Sequence, residues 1–413
     1  MKRLQVGLVV GLVMLTHVSA LDGNDLRFSG YLRNYTGVLA SRDPEFAIIQ
    51  NTVNLSLEYR RDKVGLKITP WVYHYPHKEL ELGLREAYLD MFLGPVDIRV
   101  GKQQIIWGKG EGVFITDIVT PKDMREFLLP DFEEIRIGIN ALKLNMYHGN
   151  HSVELVVVPQ FEPTVLPETG SLWRKEPVFP VQPTIDSSRT EVPLHVENSE
   201  VFGKYSLISS AFDVDVMGGY MWDADPAMHV HRVADPQTGR LQSITVTPRH
   251  HRLAVGGAAF SSPIGDFIVR GEGAWYHGKY FSTTDAADAD GVVKKDYVNY
   301  LLGIDYTLWE TRVSTQFIQR VILEHDDYLA DRQFDNMMTV LVSRDFLRET
   351  LTLDVFAYIG LYEPDALIRP RATYILTDGL SVQLGANLFA GDRGKFGQFD
   401  DNDMVYLKTR FSF

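Results

Sequence analysis

Cysteine is absent from all 413 residues, so disulfide bonds cannot stabilise the fold. The chain also lacks an excess of positive charge, because 41 Lys and Arg are outnumbered by 54 Asp and Glu, for a net charge of −13. This balance argues against a nucleic-acid partner, since phosphate binding needs a basic face. After residue 20 no apolar run reaches the ~18 residues of a membrane helix, which excludes a helical membrane protein.

The first twenty residues predict a secretory signal peptide. Lys2 and Arg3 precede an apolar run over residues 4–18, and Val18-Ser19-Ala20 supplies the small residues that a signal peptidase requires. A single membrane anchor is the alternative, but the run is short for spanning ~30 Å of hydrocarbon. We expect cleavage near Ala20, which leaves residues 21–413 as one domain.

Period-two alternation predicts that this domain is all β. Apolar residues occupy every second position over 298–308, 350–361 and 380–390, with mostly polar residues between them. A soluble β-sandwich would show the same alternation. The apolar rows hold five or six residues, so each strand runs ~10–12 residues, longer than the usual ~5–6 and suited to a tilted membrane strand.

The connections predict a transmembrane antiparallel up-and-down β-barrel in a bacterial outer membrane. Short turns alternate with longer polar segments, as they do in outer-membrane barrels. About eighteen strands are expected, or sixteen if a weak hairpin is lost; the weakest are 63–73 and 248–260. The eighteen are 26–36, 47–60, 63–73, 81–93, 95–106, 136–147, 151–159, 199–208, 211–222, 248–260, 265–280, 295–309, 311–323, 334–346, 349–361, 365–376, 379–390 and 402–413.

The end of the chain predicts two partners. Alternate residues from Val405 to Phe413 form one mostly apolar row, which would face outer-membrane lipids. A last strand that ends in phenylalanine is the usual signal for the barrel-assembly machinery, so we expect recognition through Phe413. The sequence leaves the oligomeric state open.

Charged residues in the strands predict the chemistry of the lumen. If the apolar rows face lipid, the alternate rows face inward and carry both signs of charge, and eighteen strands enclose a space too wide for side chains to fill. Most of these groups would be solvated or paired across strands, while some near the waist would set selectivity. The wall candidates are Arg99, Arg270, Arg312, Arg369 and Arg371.

Residues 101–135 stand apart because they lack period two and contain Pro121 and Pro130. We expect this segment to fold into the barrel as a constriction; the alternative is a loop resting on the rim. Thr120 followed by proline also predicts a short helix over 121–127. The constriction candidates are Gln103, Trp107, Glu111, Asp117, Lys122, Asp123, Arg125 and Glu126.

The same segment carries a resemblance to a known family. Gly101-Lys102-Gln103 followed by Trp107-Gly108 resembles the G-[RK]-Q-x-x-x-W-G strand end of an uncharacterised porin-like outer-membrane family. Residues 120–125, Thr-Pro-Lys-Asp-Met-Arg, are similar to its N-P-x-D-L-R stretch, with threonine in place of asparagine. The match covers roughly residues 99–170 and implies a barrel without naming its cargo. Alginate-export barrels are a more distant likeness.

These features predict a porin that passes small-molecule solutes. The alternative is a transporter or exporter of a hydrophobic or polymeric substrate, whose entrance the aromatic loop 160–198 could cover. No catalytic residue is predicted, because His250 and His251 have no obvious nucleophile nearby. Neither a metal site nor a cofactor is expected, since the histidines are dispersed.

Overall fold

A computed structural model describes residues 25–40, 44–76, 78–175, 179–285 and 287–413. Eighteen antiparallel strands pair with their neighbours along the chain, and the last strand pairs with the first, so the sheet closes into a barrel. The predicted strand number and antiparallel order are therefore confirmed. The predicted signal peptide lies outside the described residues.

Eighteen of the 21 strands in the described residues form the barrel, and β8, β11 and β12 form a separate small sheet. The strands are β1 Leu26–Leu39, β2 Phe46–Arg61, β3 Val64–His74, β4 Glu81–Phe92, β5 Val96–Gln103, β6 Ile139–His148, β7 His151–Val158, β8 Thr184–Ile185, β9 Glu200–Ile208, β10 Asp213–Trp222, β11 Ala227–Ala234, β12 Leu241–Arg249, β13 Arg252–Ile264, β14 Phe267–Ser282, β15 Val292–Leu308, β16 Thr311–Ile322, β17 Phe334–Phe346, β18 Leu351–Gly360, β19 Asp365–Thr377, β20 Leu380–Ala390 and β21 Met404–Ser412.

The residues that alternate along each strand lie on the two opposite faces of the barrel wall. On β18, Leu353 and Val355 are 42% and 41% exposed on the outer face, whereas Asp354 and Tyr358 on the inner face are 9% and 1% exposed. Exposed leucine, valine, isoleucine and aromatic side chains continue around the barrel, as expected for a surface that lipid covers. An outer-membrane type of β-barrel is thus the architecture of this chain.

The two rims of the barrel differ. One rim carries short turns, such as 62–63 and 265–266, together with the start of β1 and the end of β21. The other carries the long connections, of which 104–138 and 159–199 are the longest between barrel strands. Trp309 and Glu310 form one short turn with φ of 45° and 67°, the pair of positive values that a type I′ turn requires. This alternation of loop length agrees with the prediction.

The helices are short. In the described part of the chain, the α-helices are α1 Phe132–Ile135 and α2 Gly394–Gly397. The predicted helix over 121–127 is wrong: Lys122 and Asp123 form extended bridges with Arg136 and Val165, and these bridges compete with helical hydrogen bonds. A turn follows, closed by the Phe127 amide on the Met124 carbonyl at 2.9 Å.

No helix in the described ranges has the length and apolar character needed to cross a membrane.

The segment between the predicted strands 211–222 and 248–260, one of the longer polar segments, contains the hairpin β11–β12. The second strand of this hairpin also pairs in parallel with β8. Ile244 and Val246 on β12 are buried. Residues 248–249 extend β12, so the barrel strand predicted over 248–260 begins instead at Arg252. Alternate apolar residues in a rim segment therefore formed a second small sheet rather than a membrane strand.

Candidate functional site

Residues 104–138, which we call the inward loop, enter the barrel after β5. The loop contacts inner-wall side chains on β7, β14, β16, β19, β1 and β4. These side chains are Glu154, Glu272, Gln316, Arg369, Arg33 and Arg85. Because these strands are spread around the closed sheet, a segment that touches all of them lies in the lumen. The inward interpretation is confirmed.

The first lobe of the inward loop, residues 107–118, begins at a buried tryptophan. The indole N–H of Trp107 donates to the Glu154 carboxylate on the wall. Phe202 meets the ring edge-on with centroids 6.2 Å apart, and the Lys204 ammonium lies 5.4 Å from its centre. Trp107 is 3% exposed. Aromatic packing and one charge-assisted hydrogen bond thus fix the start of the lobe to β7 and β9.

Wall carboxylates and amides hold the tip of the first lobe. Glu272 accepts hydrogen bonds from the Gly110 amide at 3.0 Å and from the Thr116 hydroxyl. Glu111 exchanges two backbone hydrogen bonds with the Gln316 amide group, at 2.9 and 2.6 Å. A Cβ atom on Gly112 would lie 2.4 Å from the Phe356 ring, so only glycine allows this approach to β18.

Arginines on the wall complete the anchoring of the first lobe. The Glu111 carboxylate lies 2.9 Å from the Arg312 guanidinium and 3.5 Å from that of Arg270. Arg270 also pairs with Asp305 on β15. Lys109 of the lobe pairs with Asp215 on β10 at 3.1 Å. The charges of Lys109 and Glu111 are therefore matched by opposite charges on the wall.

The second lobe, residues 122–136, is a loop closed at its base by the antiparallel bridge between Lys122 and Arg136. Arg369 on β19 donates to the carbonyls of Leu128 and Leu129, at 2.8 and 2.7 Å. On the opposite side, Glu134 accepts from Arg33 at 3.0 Å and from the Tyr31 hydroxyl at 2.8 Å. The second lobe is thus suspended between β19 and β1.

One buried ion pair joins the lobes. Asp117 of the first lobe is 3% exposed and lies 2.7 Å from the Arg136 guanidinium at the base of the second. The Thr120 hydroxyl donates to the Ile105 carbonyl at 2.8 Å, so the chain returns to its starting point between the lobes. Each lobe has a closed base of its own.

The remaining predicted residues occupy several environments. Gln103 is fully buried at the end of β5 and donates to the Ala141 carbonyl at 2.9 Å. The Lys122 ammonium lies 4.8 Å from the centre of the Phe114 ring. Arg125 bridges Asp123 of the loop and Glu81 of β4, at 2.7 and 3.0 Å.

Two predicted arginines do not contact the inward loop. Arg99 pairs with Asp90 at 2.7 Å, and Arg371 pairs with Asp354 at 2.6 Å. Both pairs join neighbouring wall strands. The structure therefore brings Arg270, Arg312 and Arg369 to the loop and leaves Arg99 and Arg371 as parts of the wall.

Sequence reasoning missed Arg85, which a bulge turns into the lumen. Pro70 of β3 pairs with Leu84 while Thr69 pairs with Glu86, so Arg85 is the extra residue on β4. Consecutive Arg85 and Glu86 consequently both face inward. A proline inside a predicted strand signals a bulge, and Pro70 was the available clue.

A cavity of about 810 Å³, here called the charged cavity, lies between the second lobe and β1 to β4. Its charged lining includes Arg33, Lys78, Arg85, Lys102, Arg125, Arg136, Lys408, Glu45, Glu81, Asp123, Glu126, Glu134 and Glu168. Within the described ranges, the Lys102 ammonium has no hydrogen-bond or ion-pair partner. Lys102 is therefore a cation that a solute could meet directly.

Glu126 is a carboxyl group of the charged cavity whose pKa is strongly raised. The Tyr75 hydroxyl lies 3.4 Å from its carboxylate. Burial and then the nearby negative charge of Glu134 raise the pKa of the Glu126 carboxyl from an ordinary 4.5 to about 7, although Arg33 opposes the shift. Its charge therefore changes near neutral pH.

A second cavity of about 380 Å³, here called the apolar cavity, lies on the other side of the loop against β15 to β18. Its apolar lining consists of Val113, Phe114, Ile115, Phe127, Leu128, Ile318, Met337, Tyr358 and Phe396. Charged and amide side chains, Asn299, Arg320, Asp335, Lys395 and Gln398, make up the rest with Gly112. One loop thus separates two cavities of different chemistry.

Across the described parts of the chain, no group of three or more histidine, aspartate or glutamate residues could hold a metal ion.

Solved structures with the same fold are outer-membrane proteins. OccAB3 of Acinetobacter baumannii has a TM-score of 0.55 at 8% identity, with 94% of this chain and 99% of that chain covered. OccK2 (OpdF) of Pseudomonas aeruginosa, crystallised in complex with glucuronate, has a TM-score of 0.56 at 10% identity, covering 94% and 98%. OpdK from the same organism has a TM-score of 0.54 at 8% identity, covering 94% and 99%.

No curated protein matches the sequence. A family model does match residues 50–413, which is nearly all of the barrel. The matched region includes the inward loop, the whole lining of the apolar cavity and most of the lining of the charged cavity. The chain belongs to the protein family of unknown function DUF1302.

Proposed function

We propose that the protein is an outer-membrane channel through which small polar solutes pass, and that it has no catalytic role. The observation that carries the proposal is the inward loop, which crosses a wide barrel and is fixed to the wall on several sides. Narrowing a water-filled barrel with a charged segment is how a channel sets size and charge selectivity.

The charged cavity supports a polar solute. Side chains of both signs line it, and Lys102 is free to contact a solute. OccK2, which shares the fold, was crystallised with glucuronate, a small polar molecule. The two lobes reach from β7 to β19, so an extended polymer would have to displace them. This arrangement favours small solutes. It argues against the export of a polymer, which is the function that the more distant likeness to alginate-export barrels would imply.

The two ends of the barrel suggest its orientation and assembly. We propose that the rim with the short turns faces the periplasm, as in other outer-membrane barrels. The backbone of Phe413 exchanges hydrogen bonds with Gly30 at 2.9 and 3.0 Å, which completes closure between β21 and β1. We propose that the assembly machinery recognises Phe413 on this closing strand.

The test removes the second lobe without opening its base. Lys122 and Arg136 are paired, so residues 123–135 can be replaced by Asn-Gly, the two-residue turn that favours hairpins. We expect single-channel conductance in a planar bilayer to rise severalfold, because the charged cavity would merge with the rest of the lumen.

A control replaces residues 235–240 of the β11–β12 hairpin by Asn-Gly. Ala234 and Leu241 are paired, so this turn can be shortened in the same way at the rim. Its conductance should equal that of the natural protein. The proposal fails if the natural protein passes no ions, or if removing the second lobe leaves conductance unchanged.

A further inference from the structure

The apolar cavity is an unexpected feature of a lumen that is otherwise rich in charge. Val113 and Phe114 of the first lobe face it from one side and Phe127 and Leu128 of the second from another, all only partly buried. Met337 on β17 is also partly exposed. Five apolar side chains therefore present surface to a space inside the barrel, although lipid does not reach there.

The size of the cavity limits what it can hold. An apolar cavity of about 150 Å³ is enough to bind benzene. The apolar cavity here has about 380 Å³, which leaves room for one or two fused rings. Water against the apolar part of the lining finds few hydrogen-bond partners, so an apolar group that displaces it there gains affinity.

A strained residue forms part of the lining. Phe127 has φ of 54°, a left-handed conformation that costs about 1–2 kcal/mol for a residue other than glycine. Its ring packs against Phe396 and Phe399, with centroids 6.0 and 5.1 Å apart. Strain of this kind persists where the surroundings impose it, and ligand-binding positions are common among such places.

The mouth of the cavity is polar and carries both signs of charge. Lys395 and Gln398, on the loop that contains α2, are exposed. The Lys395 ammonium lies 2.7 Å from the Asp335 carboxylate, and Arg320 lies beside them and pairs with Asp331 at 2.8 Å. A solute seated in the cavity would thus place its apolar end inside and a polar end, including a zwitterionic one, among these groups.

We propose that the apolar cavity is a binding site for the ring of an amphipathic solute, a molecule with one or two rings and a polar or zwitterionic end. The inference rests on the proposed channel function and names its substrate class. Solutes of this class enter through the polar mouth and bind by their rings beside the constriction. Solutes with the same polar end but no ring do not use the site.

The test measures binding of L-tryptophan by saturation-transfer NMR on the purified full-length protein in detergent, with L-serine as the ringless comparison. Two variants change the cavity: Met337→Gln makes its wall polar at nearly constant size, and Val113→Trp fills it. Met124→Gln is the matched control, because Met124 lies in the same loop outside the lining. We expect tryptophan to bind and serine not to, with about tenfold weaker binding in both cavity variants.

The results separate this inference from the channel proposal. Natural affinity for tryptophan in Met337→Gln and Val113→Trp, or no tryptophan binding to the natural protein, would overturn the binding site. Loss of binding in Lys102→Glu but not in the two cavity variants would show that tryptophan binds in the charged cavity. That result would also overturn the proposed site in the apolar cavity. Ion conductance in a bilayer is measured independently, so a conducting channel without tryptophan binding would contradict only the substrate class.

Discussion

The charged and apolar cavities share one loop yet differ in chemistry. The second lobe contributes Glu126 and Glu134 to the charged cavity and Phe127 and Leu128 to the apolar cavity. The larger difference lies in the wall. Strands β1, β4, β5 and β21 supply cations to the charged cavity, whereas β16 to β18 supply three apolar side chains beside one arginine and one aspartate to the apolar cavity. The chemical difference between the two cavities therefore comes mainly from the side chains of the wall strands rather than from the loop.

The apolar side breaks the alternation that built the barrel. Ile318, Met337 and Tyr358 occupy inward positions on three successive strands, β16 to β18. Inward positions of a water-filled barrel are usually polar. The exception shows that this part of the wall packs against something other than water, namely the tip of the first lobe and the aromatic side chain of Phe396.

The largest effect should come from Arg369→Met, which would break the separation between the cavities. Arg369 is 7% exposed and donates to two carbonyls of the second lobe. Losing these hydrogen bonds and leaving the carbonyls buried should lower the free energy of unfolding by about 3 kcal/mol. Release of the lobe should also raise conductance. Urea unfolding in detergent and single-channel recording measure the two effects.

Arg371→Met is the matched control for this prediction. Arg371 lies on the same strand and pairs with Asp354, but it donates to no carbonyl of the inward loop. Its conductance should remain that of the natural protein even if some stability is lost. Equal conductance in the natural protein and Arg369→Met would show that the lobe does not depend on this anchor.

A smaller effect is expected from Lys102→Glu, which reverses a charge in the charged cavity and leaves the apolar cavity unchanged. Reversing an unpaired cation in the charged cavity should shift selectivity toward cations about threefold, because it changes the energy of a passing ion by about 0.7 kcal/mol in a partly wet lumen. The reversal potential in a salt gradient measures this shift. Met337→Gln alters only the apolar cavity and should leave the reversal potential in place; a shift in both variants would contradict the separation.

The smallest effect concerns pH. Glu126 is neutral below a pKa of about 7 and negative above it, so raising the pH from 6 to 8 should increase cation preference about twofold, since only one charge is added. The reversal potential of Glu126→Gln should not follow pH in this range. If the reversal potential of this variant still changes with pH, a group other than Glu126 causes the change.

Stability should change with pH in the same window. The folded protein binds the Glu126 proton more tightly than the unfolded chain, whose ordinary pKa is 4.5. The stabilising contribution is full below the unfolded value and is lost as pH rises through about 7. Glu126→Gln should therefore unfold with less dependence on pH between these values.

The barrel could be predicted because one physical signal repeats in every strand. Alternation along Leu351–Gly360 sets both the strand and its lipid face, and all eighteen predicted segments overlap barrel strands. The inward fold of residues 104–138 could be predicted from missing alternation and excess charge. Neither signal depends on distant partners.

The details of the site could not be predicted, because they depend on pairings across the lumen. Arg369 reaches carbonyls of Leu128 and Leu129, more than two hundred residues earlier, which no local pattern encodes. The bulge at Pro70 shifts the facing of Arg85, and the bridges at Lys122 and Asp123 prevent the expected helix. The apolar cavity was missed because its residues come from two lobes, four strands and the loop that contains α2.

Closure of the barrel between Gly30 and Phe413 has a consequence for biosynthesis. These residues come from opposite ends of the folded domain, so the last hydrogen-bonded seam joins almost the greatest sequence separation available. Contacts of such high contact order form slowly. The complete lumen therefore does not exist until Phe413 has been synthesised, and the chain must be kept from aggregating until then.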